Sequence, residues 1–212
     1  MDVRAFTVGP FQENTYILRR DGSDRAVVVD PGDQPDLLTE AIDKLGVTVE
    51  AILVTHTDVD HVGAVAPLAN ATGAPVYCPR LEVARLADIM GHVPMPGLGP
   101  YEGYEADETV EGGEELELAG LRIEVLATPG HTEGHVTYAF PDEGVIASGD
   151  VLFQGSIGRT DRPIGDHQTL LRSIAMLLER YPDDTLVLPG HMGTTTLGRE
   201  KATNPFLAEL AR

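Results

Sequence analysis

"AILVTHTDVDH", residues 51–61, passes from an unbroken apolar run into two histidines and two aspartates within six residues. A packed core does not accept that density of ionisable groups, whereas a metal site needs it. The apolar part extends back to Val49 as "VEAILVT" and reads as a buried strand. His56, Asp58, Asp60 and His61 therefore stand on the loop at its carboxyl end, where a rigid sheet places functional groups.

Three further apolar runs end the same way. "IEVLATPG" leads to His131, "GVIASG" to Asp150 and "TLVLPG" to His191. Glycine or proline just ahead of each lets the backbone turn sharply at the strand end. One such histidine alone would read as a surface or hydrogen-bonded residue. Four strand ends sharing the pattern point to one or two divalent ions, and imidazole with carboxylate suits zinc, iron or manganese. A carboxylate such as Asp150 has two oxygens and can bridge two ions.

Around these points the chain reads as two similar halves. "VRAFTV", "NTYILR" and "AVVVD" are short β-rich runs, followed by a helix at 34–46, the strand before His56 and helices at 61–73 and 80–90. Residues 91–105, dense in Gly and Pro, form a loop long enough to be a flap over a site. The second half gives strands at 114–120, 121–130, 135–140 and 144–150. A helix at 166–182 follows with Asp166 as N-cap, then a strand at 184–191 and a Pro-interrupted helical segment at 198–212. Each half supplies a sheet with helices on one face. The expected fold is α/β, a four-layer α/β/β/α sandwich, with residues 1–212 as a single domain.

Composition narrows the partners. Fifteen Lys and Arg against 34 Asp and Glu leave a net charge of −19, which disfavours nucleic-acid and anionic-membrane surfaces. No apolar run is long enough to span a bilayer, and the N-terminus lacks a basic stretch followed by an apolar core. A cytoplasmic location is expected. Cys78 is the only cysteine, which excludes an internal disulfide and a thiolate-rich zinc site.

The ordered set "VGPFQENTYIL", "THTDVDHVGA", "TPGHTEGH", "SGDVLFQGSIGRTD", "LPGHMGTTTLGRE" and "NPFL" resembles the metallo-β-lactamase superfamily, in particular its short glyoxalase II-like (hydroxyacylglutathione hydrolase-like) branch. The resemblance covers nearly the whole chain. It implies a metallo-β-lactamase fold and a metal-dependent thioesterase. His56 and His131 would bind a first metal with position 58, Asp60, His61 and His191 would bind a second, and Asp150 would bridge them. It further implies a metal-borne hydroxide attacking the acyl carbon of a thioester such as hydroxyacyl-glutathione, with Asp60 also orienting it. The cofactor expected is one or two divalent ions, zinc first, with iron or manganese as alternatives. The expected partner is a small-molecule acyl thioester, and the expected state a monomer or small homo-oligomer.

Asp58 departs from the family's usual H-x-H-x-D-H pattern, in which a second histidine stands there. Either a ligand is lost or Asp58 ligates in its place, as a glutamate does in the flavodiiron branch. Ligation would shift preference towards iron or manganese and make the bound water less acidic. His135 is expected in a supporting hydrogen bond, and Asp30 in a turn or supporting the 56–61 loop. Arg159 and Asp161 would order their own loop, with a substrate contact by Arg159 as the alternative. Tyr101 and Tyr104 line an entrance or anchor their loop. His92 and His167 belong to a loop and a cap, and Cys78 fills space in the core. The short C-terminus, with Arg199 and Lys201 as nearby cations, puts glutathione specificity in question. Two other functions compete: a mononuclear-iron persulfide dioxygenase using His56, His131 and Asp150, and a metal-binding domain without turnover.

Overall fold

The computed structural model describes residues 1–92, 97–208 and 210 of the chain. It divides into two compact units, Met1–Val110 with Glu117–Leu121, and Glu111–Leu116 with Arg122–Arg212.

The first sheet has the order β1-β2-β3-β4-β5-β6, with β1 Asp2–Val8, β2 Glu13–Arg19, β3 Arg25–Val29, β4 Thr48–Leu53, β5 Val76–Pro79 and β6 Glu108–Val110. The first three strands pair antiparallel; from β3 onwards the pairs are parallel. Parallel pairs need crossovers, and the crossovers carry the helices. Helix α1 (Pro35–Leu45) joins β3 to β4, and α2 (Val59–Val62) with α3 (Val65–Thr72) joins β4 to β5. Leu38, Ile42, Val65 and Leu68 of these helices pack on Ile17, Val28, Ile52 and Val54 of the sheet. The alternate residues Leu18, Val27, Val29 and Leu53 are equally buried, so both faces of the sheet are covered, as its near-continuous apolar strands require.

The second sheet has the order β14-β13-β10-β9-β8-β7, with β7 Glu115–Leu118, β8 Leu121–Ala127, β9 Val136–Phe140, β10 Val145–Gly149, β13 Leu186–Pro189 and β14 Thr195–Thr196. A small hairpin, β11 (Leu152–Phe153) with β12 (Ser156–Ile157), follows β10. Helix α6 (His167–Arg180) leads into β13, and Leu170, Ile174 and Leu177 pack on Leu126, Ala139, Ile146 and Val187. Asp166 caps α6 as expected, accepting from the Thr169 amide at 2.6 Å.

Several elements differ from the sequence reading. The helix expected over 61–73 is two, α2 and α3. The Ala64 amide donates to Pro31 O at 3.0 Å, and a side chain at Gly63 would meet Gly32 O at 2.5 Å, so the chain leaves the helical path to pack on the β3 loop. The helix expected over 80–90 is a 3₁₀ turn, Arg80–Glu82, then α4 (Val83–Ala87) and α5 (Ile89–His92), interrupted at Asp88 (φ −131°, ψ 64°). Strands β5, β6, β11, β12 and β14 were not anticipated; at two to four residues each they are too short to show a period. The expected loop from residue 91 begins inside α5, and its residues 93–96 lie outside those described. The C-terminal segment forms α7 (Leu197–Thr203) and a 3₁₀ turn at Pro205–Leu207; residues 209, 211 and 212 again lie outside. Among the described residues no helix is long and apolar enough to cross a membrane.

Candidate metal centre

In the first unit, parallel pairing of β3 and β4 sets Val29 against Leu53, so both strands end together, and the Asp30 amide donates to Leu53 O at 3.0 Å. Asp30 takes a left-handed turn (φ 47°), which aims its carboxylate back at the loop after β4. One oxygen accepts from the Thr55 amide at 2.7 Å. The other accepts from the Thr55 hydroxyl at 2.6 Å and lies 3.0 Å from His61 Nδ1. Thr55 Oγ1 in turn lies 3.0 Å from His56 Nδ1. A carboxylate only accepts, so the proton of His61 sits on Nδ1. Thr55 has one hydroxyl proton and spends it on Asp30, so it accepts from His56 Nδ1. One buried carboxylate thereby sets the tautomer of both histidines and assigns each Nε2 the lone pair.

The two imidazole centroids are 4.2 Å apart, and Asp58 Oδ2 stands 3.6 Å from His56 Nε2. Asp60 lies in the first turn of α2. Its carbonyl abuts Gly32, where a Cβ would come within 1.7 Å. Glu13 is wholly buried, 3.8 Å from His61 Nδ1. Burial holds its carboxyl well above the usual range; His61 pulls it down, and Asp30 and Asp60 push it up. Thr57 donates to buried Glu82 at 2.5 Å, pinning the loop between His56 and Asp58. Tyr101 packs on Gly63.

In the second unit, β10 and β13 are parallel with Gly149 against Pro189, so Asp150 and His191 emerge from one edge. Asp150 Oδ2 lies 3.6 Å from His131 Nε2 and 3.6 Å from His191 Nε2, poised between two imidazoles. His131 Nδ1 faces Arg159 O at 2.9 Å; a carbonyl can only accept, so this ring too is protonated on Nδ1. The ring of Phe153 meets His191 edge-on, centroids 5.8 Å apart. His135 Nε2 accepts from the Asp150 amide at 3.1 Å, which leaves Nδ1 to donate to Thr128 Oγ1 at 3.0 Å. His135 therefore positions Asp150 and is not a ligand, in line with the sequence reading. Gly158 admits the close approach: a Cβ there would fall 1.9 Å from Asp150 O.

Arg159 chelates Asp161 on the surface (2.8 and 2.9 Å), which is the loop-ordering role. Its neighbour Arg162, which the sequence reading passed over, donates through Nη2 to His131 Nε2 at 2.8 Å. Glu13 was also passed over. Its sequence signal was a charged residue immediately ahead of the β-rich run "NTYILR". Tyr104 anchors its loop, bonding Asp107 at 3.2 Å. His92 ends α5 and His167 opens α6, both exposed. Cys78 is buried, its thiol pushed up by burial and by nearby Glu82.

The donor set fits divalent metal ions. In the first unit ligand atoms of His56 and His61 lie within 4.8 Å of one another and of Asp30. Because the Asp30 oxygens already serve Thr55 and His61, we read Asp30 as the orienting carboxylate behind the histidines. Two α/β units that present oriented imidazoles and carboxylates at strand ends define a metal-binding enzyme scaffold.

The comparisons make that class specific. Residues 8–191 match the metallo-beta-lactamase superfamily, and the chain belongs to that superfamily of metal-dependent hydrolases. It is 41% identical over 212 residues to the probable metallo-hydrolase YqgX of Bacillus subtilis, 98% of each chain being covered. It is 35% identical over 209 residues to the hydroxyacylglutathione hydrolase GloC of Haemophilus influenzae, again over 98% of each. Among solved structures, the BLEG-1 B3 metallo-beta-lactamase superposes with a TM-score of 0.92 at 38% identity, covering 98% of this chain and 100% of that one. The di-iron-bound form of TTHA1623 superposes at 0.85 and 40% identity, covering 97% and 100%. The fold is the metallo-β-lactamase fold.

Proposed function

We propose that the protein is a glyoxalase II-like thioesterase, which hydrolyses acyl thioesters such as hydroxyacyl-glutathione. The observation that carries this is the full-length similarity to a hydroxyacylglutathione hydrolase at 35% identity. We assign His56, Asp58, Asp60, His61, His131, Asp150 and His191 as the residues that hold one or two divalent ions. The di-iron form of a 40% identical relative supports iron beside zinc as the metal.

Bound ions supply a water acidified towards neutrality and a Lewis acid for the acyl carbonyl. The protein does the rest. Asp30, through Thr55 and directly, keeps His56 and His61 in the tautomer that offers Nε2. The Arg159 carbonyl does the same for His131, and His135 holds the Asp150 backbone. Asp60 accepts a hydrogen bond from the attacking water and so orients its oxygen. Water oxygen joins the acyl carbon, the C–S bond breaks, and a carboxylic acid and a thiol leave. A thiolate is stable enough, with an ordinary thiol pKa of about 8.5, to depart without a strong acid.

Elemental analysis of the purified protein alongside S-lactoylglutathione hydrolysis tests the assignment. Bound metal with thioester turnover is expected. Oxygen uptake with glutathione persulfide in place of hydrolysis would replace this reading with the dioxygenase. Bound metal without turnover of any thioester would overturn it.

A further inference from the structure

We infer that Glu200 is a positioning residue for the metal ligands of the second unit: it docks the β11–β12 hairpin, and the hairpin sets His131 and His191. The inference rests on the assignment of those histidines as ligands, and not on the choice of a thioester as substrate. Glu200 lies on α7 and is wholly buried. Its Oε2 accepts from the Gly155 amide at 2.7 Å and from Asn204 Nδ2 at 2.8 Å, and its Oε1 accepts from Thr195 Oγ1 at 2.5 Å. Asn204 Nδ2 also donates to Ser156 O at 2.9 Å. One carboxylate thus ties the tip of the hairpin to β14 at the edge of the sheet. Burying a carboxylate is costly unless its oxygens are satisfied, and here both are. The Gly155 and Asn204 N–H groups can only donate, so an acceptor-only side chain fits between them.

The hairpin reaches the candidate centre by both of its legs. On the incoming leg Phe153 meets the His191 ring edge-on, with centroids 5.8 Å apart. At the tip Gln154 lies against Gly193, two residues after His191, where a Cβ would come 3.1 Å from its Oε1. The outgoing leg leads through Gly158, whose amide donates to Val151 O at 3.2 Å, to the Arg159 carbonyl that accepts from His131 Nδ1 at 2.9 Å. That contact uses the ring nitrogen turned away from the metal, so it persists when Nε2 takes an ion. Release of the tip would let both imidazoles turn. A ligand set assembled only part of the time binds with an affinity reduced by that fraction.

The test strips the full chain of metal, reloads it with zinc and compares the wild type with two variants. Glu200→Gln keeps the shape and turns an amide N–H against one of the donors. Asn204→Ser keeps an oxygen to cap the turn at Pro205–Leu207, as Asn204 Oδ1 does for the Phe206 amide, and loses the contacts to Ser156 and Glu200. Glu124→Gln, which loosens β8 from the end of α6, controls for a general loss of stability. Zinc affinity is read by chelator competition at a temperature where each metal-free protein is folded by circular dichroism. Glu200→Gln should bind zinc about 10-fold more weakly. Asn204→Ser should fall in the same direction by less, and Glu124→Gln should match the wild type. A Glu200→Gln protein that melts earlier without metal yet holds zinc as tightly as the wild type overturns the inference, because its role is then structural only. An equal loss in Glu124→Gln overturns it too, since the weakening would follow stability alone. If Glu200→Gln does not fold, Asn204→Ser decides by the same outcomes. Weakened zinc binding in Glu200→Gln beside a wild type that hydrolyses no thioester would overturn the thioesterase reading and leave this inference standing.

Discussion

At the scale of single residues, the site is decided by side chains that hold the ligands as much as by the ligands. Asp30 accepts from Thr55 twice and from His61 once. Asp30→Asn puts an amide N–H against at least one of those donors and releases a histidine to the other tautomer. Metal affinity, read by chelator competition, should fall about 10- to 100-fold; an unchanged affinity would reduce Asp30 to a turn residue. Asp58 decides a different property. Its carboxylate stands 3.6 Å from His56 Nε2, so it offers a hard oxygen where the family's usual pattern has nitrogen. Asp58→His should raise the zinc-to-iron ratio of protein grown with both metals, because hard oxygen donors favour iron and manganese relative to imidazole. Metal content and activity identical to wild type would remove Asp58 from the ligand set. The seven candidate ligands were legible because each follows an apolar run that ends abruptly. Asp30 was legible as a turn residue or a support of the 56–61 loop, and it is both; Glu13 and Arg162 were not, since what each does depends on which strand or loop lies beside it in the fold.

Individual elements carry the site by meeting backbone to backbone. Gly158, after the β11–β12 hairpin, lets the chain pass over Asp150 O, and a Cβ would also come to 3.3 Å from His131 Nδ1. Gly158→Ala should cost about 1–3 kcal/mol of stability as an overpacked contact, and should lower metal content even in the fraction that folds. Full metal occupancy in that variant would show that the hairpin and the ligands move independently. Far from the site, Glu124 on β8 joins the end of α6 by accepting from Tyr181 Oη at 2.7 Å and Arg180 at 2.9 Å. The Tyr181 hydrogen bond, then Arg180 and Arg122, holds its carboxyl below the ordinary 4.5 despite partial burial. A depressed pKa contributes stability that is present above about pH 4.5 and is lost as pH falls through the lowered value. Glu124→Gln should therefore be less stable than wild type by about 1 kcal/mol at pH 7, with screening limiting the gain. The difference should vanish in acid, as denaturant titrations at pH 7 and pH 3 would show; a gap that persists at pH 3 would mean packing, not charge. Strands that end in ligands were readable from sequence, whereas β5, β6 and β14 owe their existence to a neighbour's unpaired edge.

For the whole molecule, the charge of −19 and the metal act on stability together and have to be separated. Carboxylates in excess repel one another in the compact state, so any cation stabilises the fold somewhat by screening. The sequence made the excess plain and the family resemblance made the fold plain; the two halves read from the strand and helix pattern correspond to two compact units, whose main boundary at Val110/Glu111 falls in the acidic stretch 105–117. Ions bound by oriented histidines and aspartates stabilise by a further amount, since the unfolded chain does not orient those groups. With free metal at about a thousand times its dissociation constant this amounts to roughly 4 kcal/mol, or a rise of about 10 °C in Tm for a chain of this size. Removing metal with a chelator should reverse it. Magnesium, a harder ion that keeps its waters, should give only the screening part. Asp150→Asn discriminates between the two sources. Asp150 Oδ2 lies 3.6 Å from both His131 and His191, so its loss should abolish the increment from zinc or iron while the increment from magnesium remains. Equal responses of wild type and variant to all the metals would place the stabilisation in the general charge of the surface and not at the candidate centre.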